Sequence, residues 1–457
     1  MNKKINTNNN IITGIEEKLS QRGFPSYDEF QDKSISIDIS NMKPMTLDDL
    51  GKILDITIKE DRNNKVAIIL AMILTYTYDS QINILLNAPS STGKSYIPTE
   101  IVKLFPEEDV RIIGYCTPTA FFHDYGVWDS KKKTMTVDLE SKIILFLDQP
   151  HNMLLERLRP LLSHDKKEIP IKITDKTDKG GLRTKNIILR GFPSVVFCTV
   201  GLKVDEQEST RNLMLSPEQD QVKIKNAIHD GIIKSINSSS YNEKVETDND
   251  RNLLKERMLA IKEANIKDIR IEDGSLVEDL FLKGKDILKP RYQRDITKFI
   301  SLIKACTLLN FPFRKRVGDI LIANKDDISE GYNLWENISK NLEYNLSPYV
   351  YNFYKDVVVP LFQEKNKNDD MPQIGLLKKE ILKKSQAIYG RSTDDWQFRH
   401  DIIPALENGG LITEEPDIDN RTRIMYYPQT LNNESQDNSV QEVGVDDIKE
   451  IFKIETS

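Results

Sequence analysis

Cysteine is scarce in this chain of 457 residues: there are three, at positions 116, 198 and 306, each isolated in sequence. Such spacing excludes a disulfide framework and a cysteine-built zinc site, and it fits a reducing cytoplasm. Long apolar runs are missing too. The best candidate, "VAIILAMILTYTY" over Val66–Tyr78, falls short of the ~20 residues that span a bilayer. The start, "MNKKINTNNN", is positively charged but has no apolar segment behind it, so it does not read as a secretory signal. Positive charge is not in excess either. With a net charge of −7, contact with nucleic acid must rely on a local basic patch. A composition 39% hydrophobic and 30% charged is that of a soluble chain long enough for several domains.

Short apolar runs at Ile82–Leu86, Val110–Ile113, Ile143–Leu147, Val195–Cys198 and Leu213–Leu215 alternate with helical patterns. Continuous Ile/Leu/Val/Phe runs of this kind read as buried strands of a parallel α/β sheet. The segmentation expected is a mobile arm at 1–44, an α/β core at 45–221 and a helical region at 222–365. A separate module at 371–430 and an acidic tail at 431–457 complete it.

The chemistry starts at "INILLNAPSSTGKSY". A strand runs into a loop, Ala88–Gly93, and then toward a helix led by Lys94, the arrangement that cradles phosphate with backbone N–H groups. Ala88, Pro89, Ser90, Ser91, Thr92, Gly93, Lys94, Ser95 and Tyr96 are the candidate cofactor-binding residues. Lys94 would meet the terminal phosphates and the Ser95 hydroxyl a magnesium ion. Ala88 stands where the template G-x-x-x-x-G-K-[ST] has its first glycine, which is tolerable at negative φ. Pro98 removes one helical hydrogen bond and is expected to kink the helix. An apolar strand ends at Asp148, 54 residues after Lys94, suited to support the metal. Gln149 follows it: a neutral amide can orient water but cannot take its proton, so turnover is slow or falls to another acid such as Glu156. Thr199, ending the next apolar strand, suits a sensor of the terminal phosphate. Arg211 in "ESTRNLML" is either an arginine offered to a neighbouring subunit's phosphate or a surface residue. Arg291 and Arg294 in "KPRYQRDITKF" either reach back to the phosphates as a second sensor or start a solvated helix.

Two segments read as hairpins. Residues 166–190 hold eight Lys/Arg against three Asp/Glu, with Lys172, Lys176, Lys179, Arg183 and Lys185 as candidate contacts to a phosphate backbone. "GVWDSKKKTMTV" places Lys132 in a shorter one. Residues 371–430 read as helix, helix, strand, turn, strand, a winged helix that presents Arg399 beside Trp396 and His400, with Arg421 and Arg423 on the wing. Such modules also bind protein.

The order of these motifs resembles that of AAA+ ATPases with a pre-sensor hairpin, most nearly the MCM-like replicative helicases and related ATPases of plasmids, viruses and integrated elements. "STRNLML" is similar to that family's finger region and "KPRYQRDITKFISLIKAC" to its second-sensor helix. The resemblance implies a P-loop AAA+ parallel five-stranded sheet with β-hairpin insertions, an α-helical lid and a C-terminal winged helix. It implies an ATP hydrolase that uses ATP and Mg2+, forms a homo-oligomeric, hexameric ring, and acts as a DNA helicase or translocase in replication of a small or mobile genome. Replication proteins would dock on the winged helix or the acidic tail. The alternatives are a slowly hydrolysing replication initiator or helicase loader, and a transcription regulator. If the basic hairpin grips DNA, Lys176→Ala/Lys179→Ala weakens DNA binding and flattens its salt dependence while ATP affinity is unchanged, as a filter-binding titration over salt would read.

Overall fold

Apolar runs of four to six residues pair as parallel strands, as the sequence leads one to expect. The computed structural model describes residues 41–118, 120–124, 126–129, 134–175, 183–200, 206–285, 287–367, 373–417 and 420–429. The arm up to residue 40, Lys132, Lys176, Lys179 and the acidic tail lie outside the described residues. Nine strands carry the first part: β1 (Asn83–Asn87), β2 (Val110–Ile113), β3 (Gly126–Asp129), β4 (Thr134–Asp138), β5 (Ile143–Phe146), β6 (Glu168–Asp175), β7 (Arg183–Arg190), β8 (Ser194–Thr199) and β9 (Asn212–Leu215). Five of them form a wholly parallel sheet in the order β2-β5-β8-β1-β9. Every residue of β1, β5, β8 and β9 is buried, the mark of strands covered on both faces. Phe146 and Phe197, from adjacent strands, stack with centroids 5.2 Å apart.

The sheet is pinned by helices whose ends are set locally. Thr46 and Asp49 form a capping box for the helix Leu47–Leu54, with Asp49 N–H donating to Thr46 Oγ1 at 3.1 Å. The next helix, Arg62–Ile73, is buried from Asn64 to Ile73, so it serves as a core element, not a surface one. Its single buried lysine, Lys65, is neutralised by Asp55 and donates to the Ile58 carbonyl at 3.0 Å. The long helices Tyr292–Leu309 and Lys325–Glu343 pack into the same hydrophobic core as the sheet. Arg314 ties the second of these by a two-pronged pair with Asp327, at 2.8 and 2.7 Å.

The two expected hairpins are present as β3/β4 and β6/β7, and they are not independent. β4 pairs with β7 in parallel, which fuses both into one four-stranded sheet, β3-β4-β7-β6. Because β4 and β7 run the same way, the strand ends that flank Lys132 and those that flank Lys176 and Lys179 lie at the same end of this sheet. Thr134 pairs with Asn186, so β7 extends three residues farther, through Arg183 and Lys185.

A second core gathers Leu376, Ile381, Phe398, Ile402, Leu406 and Tyr426 with Leu346–Phe362. The helix from Pro348, within the expected helical region 222–365, packs with the C-terminal module because its Tyr349, Phe353, Tyr354 and Phe362 face that core. The module itself holds the helix Lys378–Tyr389, a helix from Asp395 to Asn408 with a wide π turn at Phe398–Ile402, and a three-stranded antiparallel sheet of Leu376–Leu377, Ile412–Pro416 and Ile424–Pro428.

The turn from β7 to β8 hinges on Gly191, whose φ is +86° and whose missing Cβ would lie 2.4 Å from the Glu140 backbone nitrogen. Gly191→Ala is expected to destabilise the chain by about 1–3 kcal/mol or more, since it adds left-handed strain to a backbone clash. Gly274→Ala, at a position with open space, leaves the urea midpoint near that of the parent.

Candidate functional site

Parallel strands deliver their C-terminal ends to one edge of the sheet, and the segments that leave β1, β5 and β8 meet there. Ala88 leaves β1 buried, with its N–H donating to the Thr199 carbonyl at the end of β8 at 3.3 Å. Its φ is not among the positive ones, so the methyl in place of the template glycine is accommodated. The loop obtains its left-handed turns from Ser91 (φ +65°) and Gly93 (φ +89°). Thr92 Oγ1 donates to the Pro89 carbonyl at 3.0 Å, and Lys94 Nζ folds back to the same carbonyl at 3.5 Å.

The helix after the loop spans Tyr96–Val102, beginning two residues later than Lys94. Pro98 has no N–H, so the Lys94 carbonyl four residues earlier lacks its helical donor. The Cys198 thiol fills the gap, donating to that carbonyl at 3.4 Å. Burial pushes this thiol up to about 12, against the opposing pull of Ser95 and Lys94, so it stays protonated and able to donate. The bond that Pro98 removes is thus replaced from the neighbouring strand.

Ser95 Oγ donates to the Leu147 carbonyl at 3.4 Å, which brings it beside Asp148. Asp148 is exposed and accepts the Gln149 N–H at 2.8 Å. Thr199 Oγ1 donates to Gln149 Oε1 at 2.9 Å. That bond engages the amide oxygen as acceptor and leaves the Gln149 NH2 group as the donor. Glu156 is exposed on the helix Asn152–Leu162.

Beside the loop lies a cavity of about 520 Å³, lined by Ser90–Gly93 and Tyr96 on one side. Across it stand residues that the motif reading did not single out: Ile58, then Ile224, Ala227 and Ile228 on the helix Gln221–Ile236. The mixture of apolar walls and backbone donors suits an aromatic ligand with an anionic end. Lys223 is the hinge between these parts. It is paired with the buried Asp61 carboxylate and donates to the Thr92 carbonyl at 3.2 Å and the Glu218 carbonyl at 2.8 Å. Burial, then the nearby Asp61 charge, raises the Glu218 carboxyl above its ordinary value. The signal available in sequence was only the apolar spacing of Ile224, Ala227 and Ile228, which reads equally as core.

Arg211 lies on the opposite edge, immediately before β9, with its Nε donating to Ser163 Oγ at 2.7 Å. Arg294 joins it, donating to Thr210 Oγ1 at 2.6 Å, and both line a cleft of about 290 Å³ with Ile82 and Asn83 at the start of β1. Arg291 is paired with Asp295 at 2.8 Å and reaches Asn345 at 3.0 Å. Arg291 and Arg294 therefore do not reach back to this chain's own loop: the helix they begin packs at the far ends of the strands. Lys172 is exposed on β6, and Arg399, Arg421 and Arg423 are exposed on the C-terminal module. Arg399 is paired with Asp395 at 3.1 Å, while Trp396 stacks on His400 at 4.9 Å.

Lys223→Ala is expected to cost about 3–5 kcal/mol, because it strands a fully buried Asp61 carboxylate. The pair Lys223→Met/Asp61→Asn recovers much of that loss in urea unfolding. Among the described residues no helix is long and apolar enough to cross a membrane. Neither a protein-family model nor a curated protein matches this chain.

Proposed function

We propose that this chain is an ATP-binding, ATP-hydrolysing protein of the AAA+ type that acts on DNA as an MCM-like helicase or translocase. The observation that carries the reading is the convergence, from three distant segments, of Ser90–Ser95, Asp148–Gln149 and Thr199 on one sheet edge, where Ser90–Gly93 also line a cavity of about 520 Å³. In this reading Lys94 swings from the Pro89 carbonyl to the terminal phosphates. The apolar wall of Ile58, Ile224 and Ile228 takes the base. Ser95 Oγ, bonded to the carbonyl of the residue before Asp148, and the Asp148 carboxylate are both hard oxygen donors, a donor set that fits magnesium. Bound there, the ion would neutralise phosphate charge. Thr199 and Gln149 would fix the attacking water, with the Gln149 NH2 group donating to it, and Arg211 would serve a neighbouring copy.

The position of Arg211 supports an oligomer. It stands at the opposite edge from the loop, about 17 Å away along a five-residue strand. One chain cannot bring the two together, whereas a ring of copies, hexameric by the resemblance, places each Arg211 and Arg294 against the next loop. The shared end of the four-stranded sheet, flanking Lys132, Lys176 and Lys179, supports a DNA-gripping face inside such a ring. The C-terminal strand-helix-helix-hairpin order supports a winged helix, with Arg399, Arg421 and Arg423 toward DNA or a replication protein. Replication of a small or mobile genome in the cytoplasm is the setting the resemblance suggests.

Gln149 favours a second reading: an initiator or loader that holds ATP and turns it over slowly, since no group on Gln149 can accept a proton. A turnover assay with single- and double-stranded DNA separates the two. The motor predicts DNA-stimulated hydrolysis that Lys94→Ala and Arg211→Ala each reduce on the order of 100- to 1,000-fold. Mixing these two inactive variants restores part of the activity, because some interfaces then combine an intact loop with an intact arginine. Binding of ATP with negligible turnover on either DNA sinks the motor, and mixtures that stay inactive sink the shared site.

A further inference from the structure

The C-terminal module contributes a corner to the cavity at the loop. Tyr389 and Arg391 line it together with Ser90–Gly93. The corner is made by the end of the helix Lys378–Tyr389, where Gly390 takes φ +68° and its N–H donates to the Gln386 carbonyl at 2.9 Å. It is held from two sides. Tyr389 Oη donates to Asp356 at 3.4 Å, from the wide π turn Tyr354–Val358, and Arg391 donates to Tyr349 Oη at 3.2 Å while lying over that ring at 5.6 Å. Among the described residues no carboxylate is paired with Arg391. Its charge is thus backed by an aromatic ring and left available to an anion on the cavity side.

Position along one helix says which end of the cavity this is. Gln221, the first residue of the helix Gln221–Ile236, donates through Nε2 to the Ile388 carbonyl at 3.0 Å, directly beneath the corner. Two residues on, roughly 3 Å along the helix axis, Lys223 holds the Thr92 carbonyl of the loop. The apolar residues Ile224, Ala227 and Ile228 follow farther along. Arg391 therefore stands at the loop end of the cavity, where an anionic group is expected, and not at the apolar end.

We propose that Arg391 binds the phosphates of the nucleotide held by the loop of its own chain, so that the C-terminal module forms a wall of the site and is fixed against the helix Gln221–Ile236 when nucleotide is present. The proposal rests on the nucleotide reading above. An arginine serves because its charge persists at any working pH and its planar fork matches phosphate oxygens. Occupancy at the loop is thereby reported to a module more than 280 residues away in sequence.

The test is an equilibrium titration of the full chain with a fluorescent, non-hydrolysable ATP analogue and with adenosine, in magnesium, alongside hydrogen exchange. Arg391→Ala should weaken the ATP analogue about tenfold while changing adenosine less than twofold, and Arg391→Lys should recover part of the loss. In the unsubstituted chain, exchange over residues 385–393 should slow when the analogue is added, a measurement that needs no variant to fold. An unchanged affinity in Arg391→Ala, or an equal loss for ATP analogue and adenosine, overturns the proposal. So does analogue binding that protects the loop and leaves 385–393 unprotected, and in each of these cases the nucleotide reading survives. No binding of the analogue by the unsubstituted chain, with Lys94→Ala indistinguishable from it, removes both.

Discussion

The insertion of β8 between β1 and β5 is the constraint on which the candidate site depends. Were β1 paired directly with β5, Thr199 could not lie between the loop and Gln149. As it is, the β8 end supplies three bonds within two residues: the Thr199 carbonyl to Ala88, the Thr199 hydroxyl to Gln149, and the Cys198 thiol to Lys94. Burial of every residue of β8 makes its position costly to change, because its paired N–H and C=O groups have no water to fall back on. The site inherits that rigidity.

A loop with one glycine fewer than its template is made tolerable by this support. Ala88 needs no left-handed angle since Ser91 and Gly93 take the turn. Pro98, which by itself would weaken the helix after the loop, sits where a neighbouring thiol can satisfy the carbonyl it abandons. From the other side Lys223 clamps the loop to Asp61 and Glu218. The thiol and the lysine come from more than 100 positions away in sequence, so the proline and the loop are supported by tertiary contacts, whereas the turn at Ala88 is settled locally.

The two edges of the parallel sheet hold opposite chemistry. The C-terminal ends carry the loop, a carboxylate and polar side chains; the N-terminal ends carry Arg211 and Arg294 around Asn83. Strand length keeps them apart within one chain, whatever the helices do. The same directional logic places the flanks of both basic connections at one end of the four-stranded sheet, since β4 and β7 run parallel.

Much of this was legible in the residues. Continuous apolar runs identified all five strands of the parallel sheet: four are buried on both faces and have no polar side to alternate with, and β2, at the sheet edge, is apolar but only partly buried. Alternation at Ile169, Ile171 and Ile173 and the flanking turn residues marked the hairpin, and the loop motif announced itself through Gly93, Lys94 and Ser95. The strand order, the fusion of two hairpins through β4 and β7, and the packing of Tyr349–Phe362 with the C-terminal module were not legible. Each depends on pairing between segments far apart in sequence, and apolar patterning says that a face is buried without saying against what. Arg291 and Arg294 show the limit most plainly. Their place at the head of an amphipathic helix was readable, but which edge of the sheet that helix meets was decided by packing against Arg62–Ile73 and by the bond from Arg294 to Thr210. The sequence by itself determined which side chains are available for phosphate chemistry; the tertiary structure alone decided which of them share an edge, because only the parallel ladder brings distant strand ends together.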